Sequence, residues 1–111
     1  MASQWKLVCK QGDLIRGAGV AAMVDGQQVA LFYIPESDDK VFAIANWDPF
    51  GKANVLSRGL VAHLQGNWTV ASPLYKQHFV LSSGECLEDG AVRIPCWGAK
   101  LEGDEVYIIE P

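Results

Sequence analysis

Histidine and cysteine are scarce in this chain. Of 111 residues, two are histidine and three are cysteine. Cys9, Cys86 and Cys96 form no CxxC ligand pair, and their odd number and low density exclude a disulfide-stapled secreted scaffold. They read as small apolar side chains of a reduced core. His63 and His78 have no Ser-Asp or Cys arrangement beside them, so a structural role is expected for each rather than nucleophilic catalysis. The eleven glycines form no GxGxxG motif, which leaves no phosphate cradle. Positive charge is also short: nine Lys and Arg face thirteen Asp and Glu, a net charge of −4. Phosphate binding needs a basic surface, so nucleic acid is excluded as the expected partner. No apolar run approaches the roughly 20 residues of a spanning helix. The opening MASQWKLVCKQGD lacks a charged-then-apolar signal pattern. A soluble, cytosolic protein with no membrane contact is therefore expected.

Half of the residues are hydrophobic and a fifth charged, the balance of a globular chain. The length suits one core, and no repeat, linker or low-complexity segment divides it, so residues 1–111 are expected to form one domain. Trp5 to Lys10 alternates apolar and polar residues as a half-buried strand does. Val20 to Ile34 carries Asp25-Gly26 between two apolar runs, a strong hairpin signal because both turn positions tolerate positive φ. After the polar break Pro35 to Asp39, Lys40 to Ala45 (KVFAIA) is a compact run of β-formers and predicts a buried strand. Val55 to Leu64 is ambiguous; Gly59 and the β-branched flanks favour short strands about a turn at Ser57-Arg58-Gly59. Trp68 to Ala71 and His78 to Leu81 predict two more strands. Residues 91–101 and 105–110 predict a closing hairpin. Some nine short strands at close spacing point to an all-β antiparallel sandwich or small barrel.

Two segments between strands carry the functional argument. One is Asn46-Trp47-Asp48-Pro49-Phe50 with the Val-Leu-Ser-Arg-Gly that follows; the other is Val70 to Cys86, VASPLYKQHFVLSSGEC. Together they resemble the two cluster loops of the Rieske family over nearly the whole chain. In a Rieske centre two thiolates hold one iron and two imidazoles the other. The family spaces these ligands CxH in the first loop and CxxH in the second. On that pattern Asn46 and Asp48 stand at the ligand positions of the first loop, and Ser72 and Tyr75 at those of the second. An amide, a carboxyl, a hydroxyl and a phenol do not replace soft thiolates and imidazoles. The resemblance thus implies a Rieske-like fold with two cluster-type loops and no cluster.

The replacing strings, Asn-x-Asp-Pro-Phe, Val-Leu-Ser-Arg-Gly and Val-Ala-Ser-Pro-Leu-Tyr-Lys-Gln, are similar in order and spacing to the small-subunit family of cytoplasmic NAD(P)H-dependent assimilatory nitrite reductases. That resemblance implies a subunit with no cofactor or catalytic site of its own. Its partner would be a large subunit carrying FAD, an iron-sulfur cluster and sirohaem. The alternative is a cluster-free interaction module serving another oxidoreductase. The four degenerate ligand positions are expected to hydrogen-bond one another and the loop backbones, because buried polar groups must be paired. A hard cation at Asp48 is disfavoured, since one carboxylate is too few for an oxygen cage. Aromatic residues beside a cation at exposed loop tips favour a protein interface. Trp47, Phe50, Tyr75 and Lys76 are therefore the candidate docking residues.

Overall fold

The computed structural model describes residues 4–109. Strands β1 (Lys6–Lys10), β2 (Gly19–Val24), β3 (Gln27–Tyr33) and β4 (Val41–Ala45) are followed by two short strands, β5 (Trp47–Asp48) and β6 (Ala53–Asn54). Then come β7 (Leu60–Leu64), β8 (Asn67–Ala71), β9 (His78–Val80), β10 (Cys96–Glu102) and β11 (Glu105–Ile109). Six strands form an antiparallel sheet in the order β1-β11-β10-β4-β3-β2, and β7-β8-β9 form a second sheet. β5 and β6 pair as a separate small hairpin. Among the described residues no helix is long and apolar enough to cross a membrane.

The expected hairpin turn is present at Asp25 and Gly26, whose φ angles of 49° and 81° suit the tight turn joining β2 to β3. The continuous apolar runs of β3 and β4 follow from burial on both faces. Ala30, Phe32, Phe42 and Ile44 join Val70, Phe79 and Leu81 in one core, while Val29, Leu31 and Ala43 join Ile108 in another. A strand covered on one face alternates polar and apolar residues; β4, covered on both, is buried at every position. Fully burying a side chain such as Phe32 or Phe79 is worth about 1.5–3 kcal/mol.

Three expectations differ from the observed elements. Leu56, expected in the strand that enters the turn at Ser57-Arg58-Gly59, instead opens a 3-10 turn over Leu56–Arg58, and β7 follows at Leu60. Asn46 causes this: its backbone oxygen accepts from the Leu56 N–H at 3.1 Å and its side-chain oxygen from the Ser57 N–H at 2.7 Å. Those amides are therefore withheld from any ladder. The closing hairpin begins at Cys96, not at residue 91. Asp89 draws in the N–H groups of Ala91 and Val92 at 3.1 and 2.9 Å, and Pro95 has no N–H to offer a partner strand. The first loop is itself partly strand, through β5 and β6.

Candidate functional site

Both loops emerge at the same end of the molecule. β4 runs into the first, from Asn46 to Asn54, and β8 into the second, from Ser72 to Gln77. The first loop is organised by Asp48, which is completely buried. One carboxyl oxygen accepts from the Phe50 N–H at 2.9 Å, while the Asp48 backbone oxygen accepts from the Lys52 N–H at 2.7 Å. The second loop closes on Ser72, whose backbone N–H donates to the Gln77 oxygen at 2.9 Å and whose backbone oxygen accepts from the Lys76 N–H at 3.0 Å. The Ser72 hydroxyl accepts from the Leu74 N–H at 3.2 Å and donates to the other carboxyl oxygen of Asp48. A single side-chain bridge thus ties one loop to the other at the level of the ligand positions.

The loops also interlock sterically. A Cβ on Gly51 would run into the Leu74 side chain of the opposite loop and come within 3.1 Å of Asp48 Oδ2. A Cβ on Gly59 would strike the Ala71 carbonyl oxygen where β8 enters the second loop. Glycine at 51 makes room for the Leu74 side chain, and glycine at 59 lets its backbone meet that of Ala71.

The structure brings the four degenerate ligand positions to this end but does not make one network of them. Asp48 and Ser72 bond to each other. Asn46, 2% exposed, is held separately: besides Ser57, its amide nitrogen donates to Gln28 Oε1 at 3.1 Å and to the Asn54 oxygen at 3.3 Å. Tyr75 is 63% exposed and turns away from the other three. Gln28 and Ser57, which lie 18 and 11 positions from Asn46, carry no motif that would have marked them in sequence. Of the candidate docking residues, Trp47, Tyr75 and Lys76 are exposed. Phe50 is half-buried, its ring 6.2 Å from that of Phe79. Leu60 and Leu74, both exposed, flank the patch; sequence reasoning did not single them out.

These donors do not fit a two-iron cluster. Both oxygens of Asp48 and the whole amide of Asn46 are already committed to hydrogen bonds, Tyr75 points outward, and none of the four supplies a thiolate or imidazole. The cysteines lie elsewhere. Cys86 is buried in a segment bridged to the edge of β9 at Phe79, with its sulfur 3.7 Å from Glu88 Oε1, and burial first, then the nearby Glu88 charge, pushes its thiol above the ordinary range. Glu88 in turn clamps β9, accepting from the His78 N–H at 2.7 Å and meeting the His78 ring at 2.6 Å.

A family model described as the Rieske-like [2Fe-2S] domain matches residues 4–109. The nitrite reductase (NADH) small subunit of Salmonella typhimurium is 48% identical over 106 residues, covering 96% of this chain and 97% of that one. The solution structure of the Escherichia coli protein NirD superposes with a TM-score of 0.86 at 45% identity, covering 97% of each chain. A Klebsiella oxytoca nitrite reductase [NAD(P)H] large subunit is 36% identical over 104 residues, which are 94% of this chain and 11% of that one. The chain belongs to the Rieske-like [2Fe-2S] domain family and, within it, to the family of nitrite reductase small subunits.

Proposed function

We propose that this chain is the small, cofactor-free subunit of a cytoplasmic nitrite reductase [NAD(P)H]. In this role it supports the six-electron reduction of nitrite to ammonium by a large subunit carrying flavin, an iron-sulfur cluster and sirohaem. The observation that carries the reading is the end-to-end match at 48% identity to a protein named for this role. A single domain shared by chance would not cover 97% of the relative. The Klebsiella relative adds support for the partner: a segment alike in sequence lies within a polypeptide named as the large subunit.

The donor chemistry supports the absence of a cluster. Where a Rieske centre joins its loops through metal, here Ser72 and Asp48 join them through a hydrogen bond. The loops keep their frame and present Trp47, Tyr75 and Lys76 outward, with Phe50 propping the first loop from beneath. A frame of this kind serves recognition rather than electron storage. Affinity capture with the tagged chain from cells grown on nitrite should bring down a protein with flavin and sirohaem absorption. Capture of a different oxidoreductase, or of none, would overturn the assignment.

A further inference from the structure

Charge is distributed unevenly over this acidic protein. From Pro49 to Gly84 there is no aspartate or glutamate, and all thirteen acids lie outside that stretch. Five of the nine Lys and Arg residues pair with acids: Lys6 with Asp25, Lys10 with Glu105, Arg16 with Glu36, Arg93 with Glu85 and Lys100 with Glu102. Among the described residues the other four, Lys40, Lys52, Arg58 and Lys76, have no such partner. Three of these belong to the two-loop end. Lys52 is in the first loop, Arg58 in the turn after it and Lys76 in the second. The one acid within the two loops, Asp48, is completely buried with both oxygens hydrogen-bonded inside them, and Glu88, beside them, is held on the N–H and ring of His78.

The same end is apolar between its cations. Trp47, Leu60, Leu74 and Tyr75 are 44%, 79%, 48% and 63% exposed. A groove of about 600 Å³ runs from Arg58 over Leu60, Ala62 and Ala71 to Pro73 and Lys76. At the opposite pole, the far end of β4, the turn before Val41 carries Glu36, Asp38 and Asp39, with Glu36 paired to Arg16 and Lys40 beside Asp39.

We propose that the two-loop end is a charge-selective docking face that receives an acidic patch with an apolar centre on the nitrite reductase large subunit. This rests on the small-subunit reading above. Unpaired cations around an exposed apolar floor make the face selective. A basic or neutral partner would leave three charges uncompensated at the contact, whereas an acidic one is steered to it and held. The Leu60 and Tyr75 side chains supply the desolvated centre that such an interface needs. The Klebsiella polypeptide, in which a similar segment is part of the large subunit itself, is consistent with a fixed contact between the two.

The test is binding of the intact chain to the immobilised large-subunit holoprotein across a salt series. The variants are Lys52→Glu, Arg58→Glu, Lys76→Glu and the control Lys40→Glu, the unpaired cation at the other pole. Lys76→Met and a thermal melt of each variant separate lost charge from lost fold. The proposal predicts that each of the three loop reversals weakens binding about tenfold or more, chiefly through a slower on-rate, with Lys40→Glu within about twofold of the parent. Affinity should fall as salt rises. Tight parental binding that all three reversals leave within about twofold would overturn the docking face and leave the small-subunit reading standing. No parental binding at all would overturn both. A dimer of the chain alone, dispersed by the same reversals, would assign the face to a second copy and overturn the proposal.

Discussion

Removing the Ser72 hydroxyl should loosen the two-loop end by a predictable amount. In Ser72→Ala, Asp48 Oδ2 loses its donor at a position with no exposure to water. A buried acceptor left unsatisfied costs about 1–3 kcal/mol. The Leu74 N–H also loses its 3.2 Å bond, but that amide sits in an exposed loop and water replaces it at little cost. Asp48→Ala is more severe, because the Phe50 N–H and the Ser72 hydroxyl are both orphaned. Two such groups amount to about 2–6 kcal/mol, against a whole-domain stability of about 5–15 kcal/mol. Asp48→Asn keeps the shape and an acceptor for Phe50, so it should cost about 1–2 kcal/mol. Urea unfolding followed by tryptophan fluorescence measures all three. Because the two side chains meet, Ser72→Ala should cost less in the Asp48→Asn background than in the parent, with a coupling of about 0.5–3 kcal/mol. Strict additivity, or a Ser72→Ala loss below about 0.5 kcal/mol, would refute the claim that this bridge holds the loops together.

Gly59→Ala should destabilise by about 1–3 kcal/mol, the usual cost of overpacking, because its Cβ meets backbone at Ala71 rather than a movable side chain; an unchanged urea midpoint would contradict the packing. Glu88→Gln should lower the melting temperature near neutrality, and the deficit should vanish in acid. Burial alone would raise the Glu88 carboxyl, but the hydrogen bonds from His78 outweigh it and hold the carboxyl below its usual 4.5. Its contribution is therefore complete above about pH 4.5 and is lost as pH falls through the depressed folded value. A deficit that persists undiminished at pH 3 would refute the linkage. Protein expressed with full cluster supply should contain no stoichiometric iron or acid-labile sulfide and show no Rieske absorption; one cluster per chain would overturn the reading of the donor set.

Local chemistry made much of the fold legible. Asp25-Gly26 announces its turn because two positive φ angles are needed there, and KVFAIA announces a buried strand because nothing polar interrupts it. The turn at Ser57-Arg58-Gly59 was legible, but that Leu56 joins it was not, since this is decided by Asn46, whose backbone and side-chain oxygens reach forward to the Leu56 and Ser57 N–H groups. Residues 91–95 look apolar enough for a strand, yet Asp89 and Pro95 divert their hydrogen bonding. At the candidate site, the strings around Asn46, Asp48, Ser72 and Tyr75 marked the two loops. Which side chains turn in was set by long-range packing. Phe50 is drawn against Phe79, while Tyr75, in a loop closed on Ser72, is left outside. Leu60 escaped notice because an apolar residue opening a strand reads as core. The acid-free stretch from Pro49 to Gly84 was the available sequence signal for the docking face.

The measurement that bears most directly on the central claim is nitrite-dependent NAD(P)H oxidation by the large-subunit holoprotein as this chain is titrated in. A cofactor-free supporting subunit should raise the rate or the lifetime of the activity saturably, reaching its plateau at a fixed ratio of the two chains, with no iron in the added protein. A rate and a lifetime that are the same at every concentration of this chain would contradict the account.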